Sequence, residues 1–140
     1  MVVNNQYDTL IQFIDYFQNE TIVYCTWQPT VKSESGTYTL GYPIYDDRLL
    51  MFIKAVNDSG ITVQDYRSKL NGIFDKKEPI KMIDNMNDLI TVKAMLTYYV
   101  RAERFGDGSW AFAAENKVFL KILIKLKELL EKENPLIPEV

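Results

Sequence analysis

A chain of 140 residues, 47% apolar and 25% charged, has the size and composition of one ordinary globular domain, not of a disordered segment or of two comfortable domains. Its formal net charge of −3 supplies no global attraction to nucleic acid or anionic lipid, and its single cysteine, Cys25, excludes an internal disulfide and a cysteine-based metal cage. No segment approaches the roughly 20 apolar residues of a membrane span, and the start Met1-Val2-Val3-Asn4-Asn5-Gln6 lacks the pattern of a signal peptide, so no membrane and a cytoplasmic location are expected.

The first organised piece is apolar at Tyr7, Leu10, Ile11, Ile14 and Phe17, the spacing of an amphipathic helix with Asn4 or Asn5 as its cap. Thr21 to Trp27 is β-branched and aromatic and closes at Pro29. After the polar turn Lys32-Ser33-Glu34-Ser35-Gly36, a second β-prone run covers Thr37 to Tyr42. The two runs pair as a small hairpin or make an irregular excursion. Asp46 or Asp47 then caps a helix with Leu49, Leu50, Phe52, Ile53 and Val56 on its buried side, ended by Gly60. A short helix is expected over 64–71, stopped by Asn71-Gly72, and one more helical turn within the polar stretch Phe74 to Asn87.

From Asp88 a strong helix runs to about Arg104, with Leu89, Val92, Leu96, Tyr99 and Val100 along one side, and Gly106 and Gly108 break it. Ser109 is placed to cap a helix from Trp110 that falters at Asn116, a residue that tolerates the left-handed conformation. A final helix carries Val118, Phe119, Ile122, Leu123, Leu126, Leu129 and Leu130 and stops before Pro135 and Pro138. The fold class that follows is mainly α: a compact single domain of residues 1–140 with about five helices and room for one small β-hairpin near residues 21–42.

One segment concentrates charge and glycine: Arg101-Ala102-Glu103-Arg104-Phe105-Gly106-Asp107-Gly108. Arg101 and Arg104 are three apart at a helix C-terminus and share a face, Glu103 points elsewhere, and Asp107 lies in a glycine-flanked turn. With Met95 to Val100 before it and Ser109 to Leu129 after it, this R-x-E-R-F-x-D-G string resembles a family of small bacterial and phage proteins known only as a domain of unknown function, numbered 6508. That family is marked by a helix ending in R-x-E-R-F, an acidic-glycine turn and a closing helix. The resemblance extends loosely upstream through Pro43–Tyr45 and the helix after Asp46. Asn116 stands where glycine is expected, a change that a left-handed position accepts. The resemblance implies no reaction and no ligand.

Two readings of Arg101–Gly108 compete. In the architectural one, Arg101 or Arg104 grips Glu103, Asp107 or Glu115 bidentately and locks the turn, while Phe105 pins it to the core. In the functional one, Arg101, Glu103, Arg104, Asp107 and Gly108 form a binding site for a carboxylate, a phosphate or an acidic peptide. A catalytic use of Glu103 or Asp107, with arginine stabilising an anion, is the third alternative.

Elsewhere, Lys117, Lys121 and Lys125 line up on one face of the last helix in the manner of a phosphate-tracking stripe. Between Arg101 and Glu133, however, seven positive charges face six negative ones, so a solvated face is expected and nucleic acid is an unlikely partner. Cys25 lies in an apolar run, and the absence of histidine removes the usual base for a thiol or serine nucleophile and the commonest zinc ligand. The six glycines fit no phosphate-cradling spacing. No catalytic residue, cofactor or metal is therefore assigned. The reading is a non-enzymatic binding or interaction module, in keeping with a phage or mobile-element setting, whose partner is an unknown protein or a small anionic ligand. Its alternatives are the small enzyme and a weak nucleic-acid binder through the lysine stripe. A homodimer is the further expectation, on the premise that the tail helix has more apolar surface than one domain covers.

Overall fold

The computed structural model describes residues 5–72 and 77–133; the Asn4 cap and the ends of the chain lie outside them. In chain order come α1 (Asn5–Ile11), α2 (Ile14–Gln18), β1 (Cys25–Gln28), β2 (Val31–Lys32), β3 (Tyr38–Thr39), β4 (Tyr42–Tyr45), α3 (Asp47–Ser59), α4 (Tyr66–Leu70), α5 (Pro79–Asp84), α6 (Leu89–Arg101), a 3₁₀ turn (Ala102–Arg104), α7 (Ser109–Glu115) and α8 (Val118–Glu133). The mainly α class holds. Among the described residues there are eight α-helical pieces in place of about five, because a turn at Gln12-Phe13 splits the first helix and each short helix stands alone.

Helices α6 and α8 form the spine. α6 packs on α4 and α8, and α8 also meets α1, α2, α5 and α7. The apolar spacing of α8 explains this: Val118, Phe119, Ile122, Leu123, Leu126 and Leu129 are all buried. The tail helix thus has its apolar face covered within one domain, which removes the premise on which the sequence placed a homodimer there. α6 is buried nearly all round, through Val92, Ala94, Met95, Leu96, Thr97, Tyr99 and Val100. Its one buried polar side chain, Thr97, is satisfied on both sides: its hydroxyl donates to the Lys93 carbonyl at 2.8 Å and accepts from the Val63 amide at 3.0 Å.

At the centre an aromatic cluster joins distant segments. Phe17 lies 4.9 Å from Phe52 and 5.6 Å from Phe119, and Phe52 lies 5.1 Å from Phe119, two of these three contacts being edge-on. Tyr24, just before β1, closes one side at 5.5 Å from Tyr16. Gly60 follows α3 with a φ of 78°, as expected. Asp46 does occupy the cap position of α3, but its carboxylate accepts from the Tyr16 hydroxyl at 2.6 Å and not from the helix. Leu50, expected on the buried side, is exposed. No helix of the described residues is long and apolar enough to cross a membrane.

The hairpin exists, running from Cys25 to Tyr45 where residues 21–42 were expected. Cys25 pairs with Tyr45, Gln28 with Tyr42, Val31 with Thr39 and Lys32 with Tyr38 in one unbroken antiparallel register. The ladder lapses only around Pro29, which has no amide to donate. The ribbon extends from the helical body, and most of its side chains are exposed.

Truncating Phe119 to Ala should lower the unfolding free energy by about 3–5 kcal/mol, the cost of a large buried cavity, whereas Leu50→Ala should cost about 0.5 kcal/mol or less. Urea titration monitored by circular dichroism decides whether the aromatic cluster is the centre of the core.

Candidate functional site

The turn after α6 is organised by Glu103. Its Oε1 accepts the Trp110 amide at 3.0 Å. Its Oε2 accepts the Gly108 amide at 2.9 Å and the Tyr45 hydroxyl at 2.6 Å. The Gly108 amide also reaches the Tyr45 oxygen at 3.0 Å. A short helix leaves its first amides without partners inside the helix and carries partial positive charge there, so a carboxylate is the natural cap. Ser109 is not the cap: it is the first residue of α7, and its hydroxyl donates back to the Gly106 carbonyl at 2.7 Å.

Neighbours complete the lock. The Trp110 indole donates to the Val100 carbonyl, one of those left open at the end of α6, at 2.7 Å. Its ring lies 5.3 Å from that of Tyr45. Burial, and then the hydrogen bond and charge of Glu103, hold the Tyr45 phenol well above its ordinary value of 10.0. Gly108 adopts a φ of 91°, and a Cβ on it would stand 2.7 Å from Cζ2 of Trp27, so only glycine fits beneath the ribbon.

The arginines do not share in this lock. Among the described residues no ion pair involves Arg101 or Arg104, so the architectural reading was right about the turn and wrong about the residues that tie it. The physical reason is that Glu103 is already saturated by neutral donors closer to hand. Phe105, expected to pin the turn, is 72% exposed. Arg104 and Asp107 are exposed as well. Arg101 instead lays its guanidinium 5.6 Å from the centre of the Tyr66 ring. Arg67 lies 5.8 Å from the same ring and 5.2 Å from that of Phe105.

Tyr66, Arg67 and Phe105 border an open groove of about 640 Å³ between α4 and the turn, lined also by Leu70, Tyr98, Ala102, Gly106 and Ser109, while Arg101 touches the Tyr66 ring from outside that lining. Arg67 and Tyr66 were missed at the level of sequence. They sit in a five-residue helix with no motif, and only the packing of α4 on α6 brings them beside Arg101.

The lysine stripe is tied down. Lys117 takes the left-handed conformation expected of Asn116, with φ 64°, and donates to the Phe17 carbonyl at 3.2 Å. Lys121 lies 3.6 Å from the Asp84 carboxylate, and Lys125 donates to the Asp84 carbonyl at 3.2 Å. All three fasten α8 and its approach to α2 and α5, which leaves few cations to follow a phosphate backbone. Cys25 is half-buried, and burial first, then the charges of Glu115 and Glu103, push its thiol up, the opposite of an activated nucleophile.

Over residues 2–132 the chain matches the model of DUF6508, described as a family of unknown function, and it belongs to that family. No curated protein and no solved structure matches it.

Glu103→Ala should cost about 2–4 kcal/mol of stability, since it strands two amides and a phenol in a part-buried turn. Arg101→Ala and Arg104→Ala should each cost about 1 kcal/mol or less, the scale of an exposed cation on a ring or in water. Chemical denaturation of the three variants checks the order. Gly108→Ala should destabilise by about 1–3 kcal/mol, and by less in a Trp27→Ala background. Full additivity in that double-mutant cycle would show that the ring does not press on residue 108.

Proposed function

We propose that this protein is a non-enzymatic binding module, and that its site is the groove formed by α4, the end of α6 and the turn at 102–109, which receives an anionic group. The observation that carries this reading is the pair of guanidiniums, Arg67 and Arg101, on the one Tyr66 ring. Two like charges converge there, and no ion pair of the described residues neutralises either. A carboxylate or phosphate entering the groove would meet the Arg67 fork directly, with the Arg101 charge beside it on the shared Tyr66 ring.

The exposed Phe105 ring forms the lip of the groove and gives an apolar neighbour to that anion. Groove size falls within the range of small-ligand sites, and its openness to solvent also suits one side chain of an acidic peptide. The catalytic alternative loses support from the same geometry. Glu103 is held by three donors inside the turn, and exposed Asp107 has no described partner that would orient it as an acid or base.

The test is a thermal-shift series with inorganic phosphate, citrate and a hexaglutamate peptide, followed by calorimetry on the best of them. The parent should be stabilised by at least one of these anions, by an increment that grows with anion concentration and shrinks in salt. The Arg67→Gln/Arg101→Gln double variant should lose at least about tenfold in affinity with its fold intact. Equal responses of parent and double variant would remove the groove as the site.

A further inference from the structure

The surplus apolar surface of this protein lies on the ribbon and not on the tail helix. Because the register is unbroken from Cys25–Tyr45 to Lys32–Tyr38, side chains two apart on the returning strand share a face. The odd-numbered face carries Trp27, over Gly108, and Tyr45, bonded to Glu103, and so meets the helical body at its base, while Val31 nearer the tip is exposed. The even-numbered face presents Tyr38 on the tip ladder and Tyr42 and Ile44 on the base ladder, with Leu40 in the lapse between them, exposed by 60%, 50%, 44% and 75% respectively. At ~3.4 Å per residue this row is ~20 Å long. No described element of the chain covers it.

We propose that this face is the interface of a homodimer, in which the rows of two copies stack about a two-fold axis. Charge favours a second copy over a charged partner. Residues 21–45 carry only Lys32 and Glu34, which cancel, in a chain that is 25% charged overall. Two such faces meet without repulsion and offer nothing to attract a strongly acidic or basic molecule. An antiparallel stack is self-complementary: each tip lies toward the base of the other ribbon. Lys32, on the even face of the tip, then approaches the base, where Asp46 and exposed Asp47 stand.

Area sets the strength. Four side chains of this size and exposure present ~450 Å², and with Thr26 and Gln28 beside them each copy contributes ~500–600 Å². The total of ~1,000 Å² is the lower limit of a specific interface. An interface at that limit is a weak one, so micromolar concentrations are where the dimer is sought, and its contact is larger than a stray surface hydrophobe requires.

Sedimentation equilibrium of the full chain from about 1 to about 300 μM tests this. The parent should pass from monomer to dimer across that range. Leu40→Asp and Tyr42→Asp, at the centre of the row, should each raise the dissociation constant by about 30-fold or more. Val31→Asp, on the opposite face, should leave it within about threefold. All three positions are exposed, and far-ultraviolet circular dichroism confirms the fold of each variant. A parent that stays monomeric to about 300 μM overturns the proposal. So does a folded Leu40→Asp/Tyr42→Asp double variant that still dimerises.

Discussion

One carboxylate holds two parts of this molecule in place. Glu103 receives the amides of Gly108 and Trp110 and the hydroxyl of Tyr45, and these three donors belong to two separate parts of the chain. The amides start α7, and through it the approach to α8. The hydroxyl comes from the last residue of the ribbon, 58 positions earlier. Without that acceptor the first turn of α7 would leave amides unpaired, and the ribbon would lose a charge-assisted bond to the body. Glu103 therefore acts as an architectural residue, and the chemistry of its neighbours follows from that.

The eight-residue segment Arg101–Gly108 accordingly divides into two layers. Glu103 and Gly108 face inward, one as acceptor and the other as the only residue that fits a φ of 91° under Trp27. Arg104, Phe105 and Asp107 face outward, and Arg101 turns toward α4. The 3₁₀ turn over Ala102–Arg104 makes this division. There the Glu103 carboxylate reaches the start of α7, and Phe105, which follows the turn, stays on the rim.

Much of the architecture was legible because it rests on periodicity. The apolar spacing of α3, α6 and α8 identifies those helices, and Asp88 does cap α6, accepting the Ile90 amide at 3.0 Å. What could not be read is what depends on contacts across the chain. Tyr45 to Glu103, Arg67 to Phe105 and Lys117 to the Phe17 carbonyl each join elements whose proximity no local pattern encodes. Local rules also misplace roles that neighbours can share. Ser109 and Asn116 are good candidates for a cap and a left-handed residue, yet Glu103 and Lys117 fill those roles, because a carboxylate outcompetes a hydroxyl and Lys117 gains a carbonyl in exchange for its strain.

The same logic separates the residues that build the fold from those available for binding. Polar groups that structure this protein are recognisable by saturation: Thr97 has partners on both sides, Asp46 holds Tyr16, Asp84 engages two lysines, and Glu103 accepts three donors. Arg67 and Arg101 break that pattern, resting on rings with no anion among their described contacts. A guanidinium on an aromatic face retains most of its capacity to donate, since the ring attracts its charge without occupying its N–H groups. Among the described residues the pair therefore stands apart from the saturated groups, which is what the proposed anion site rests on.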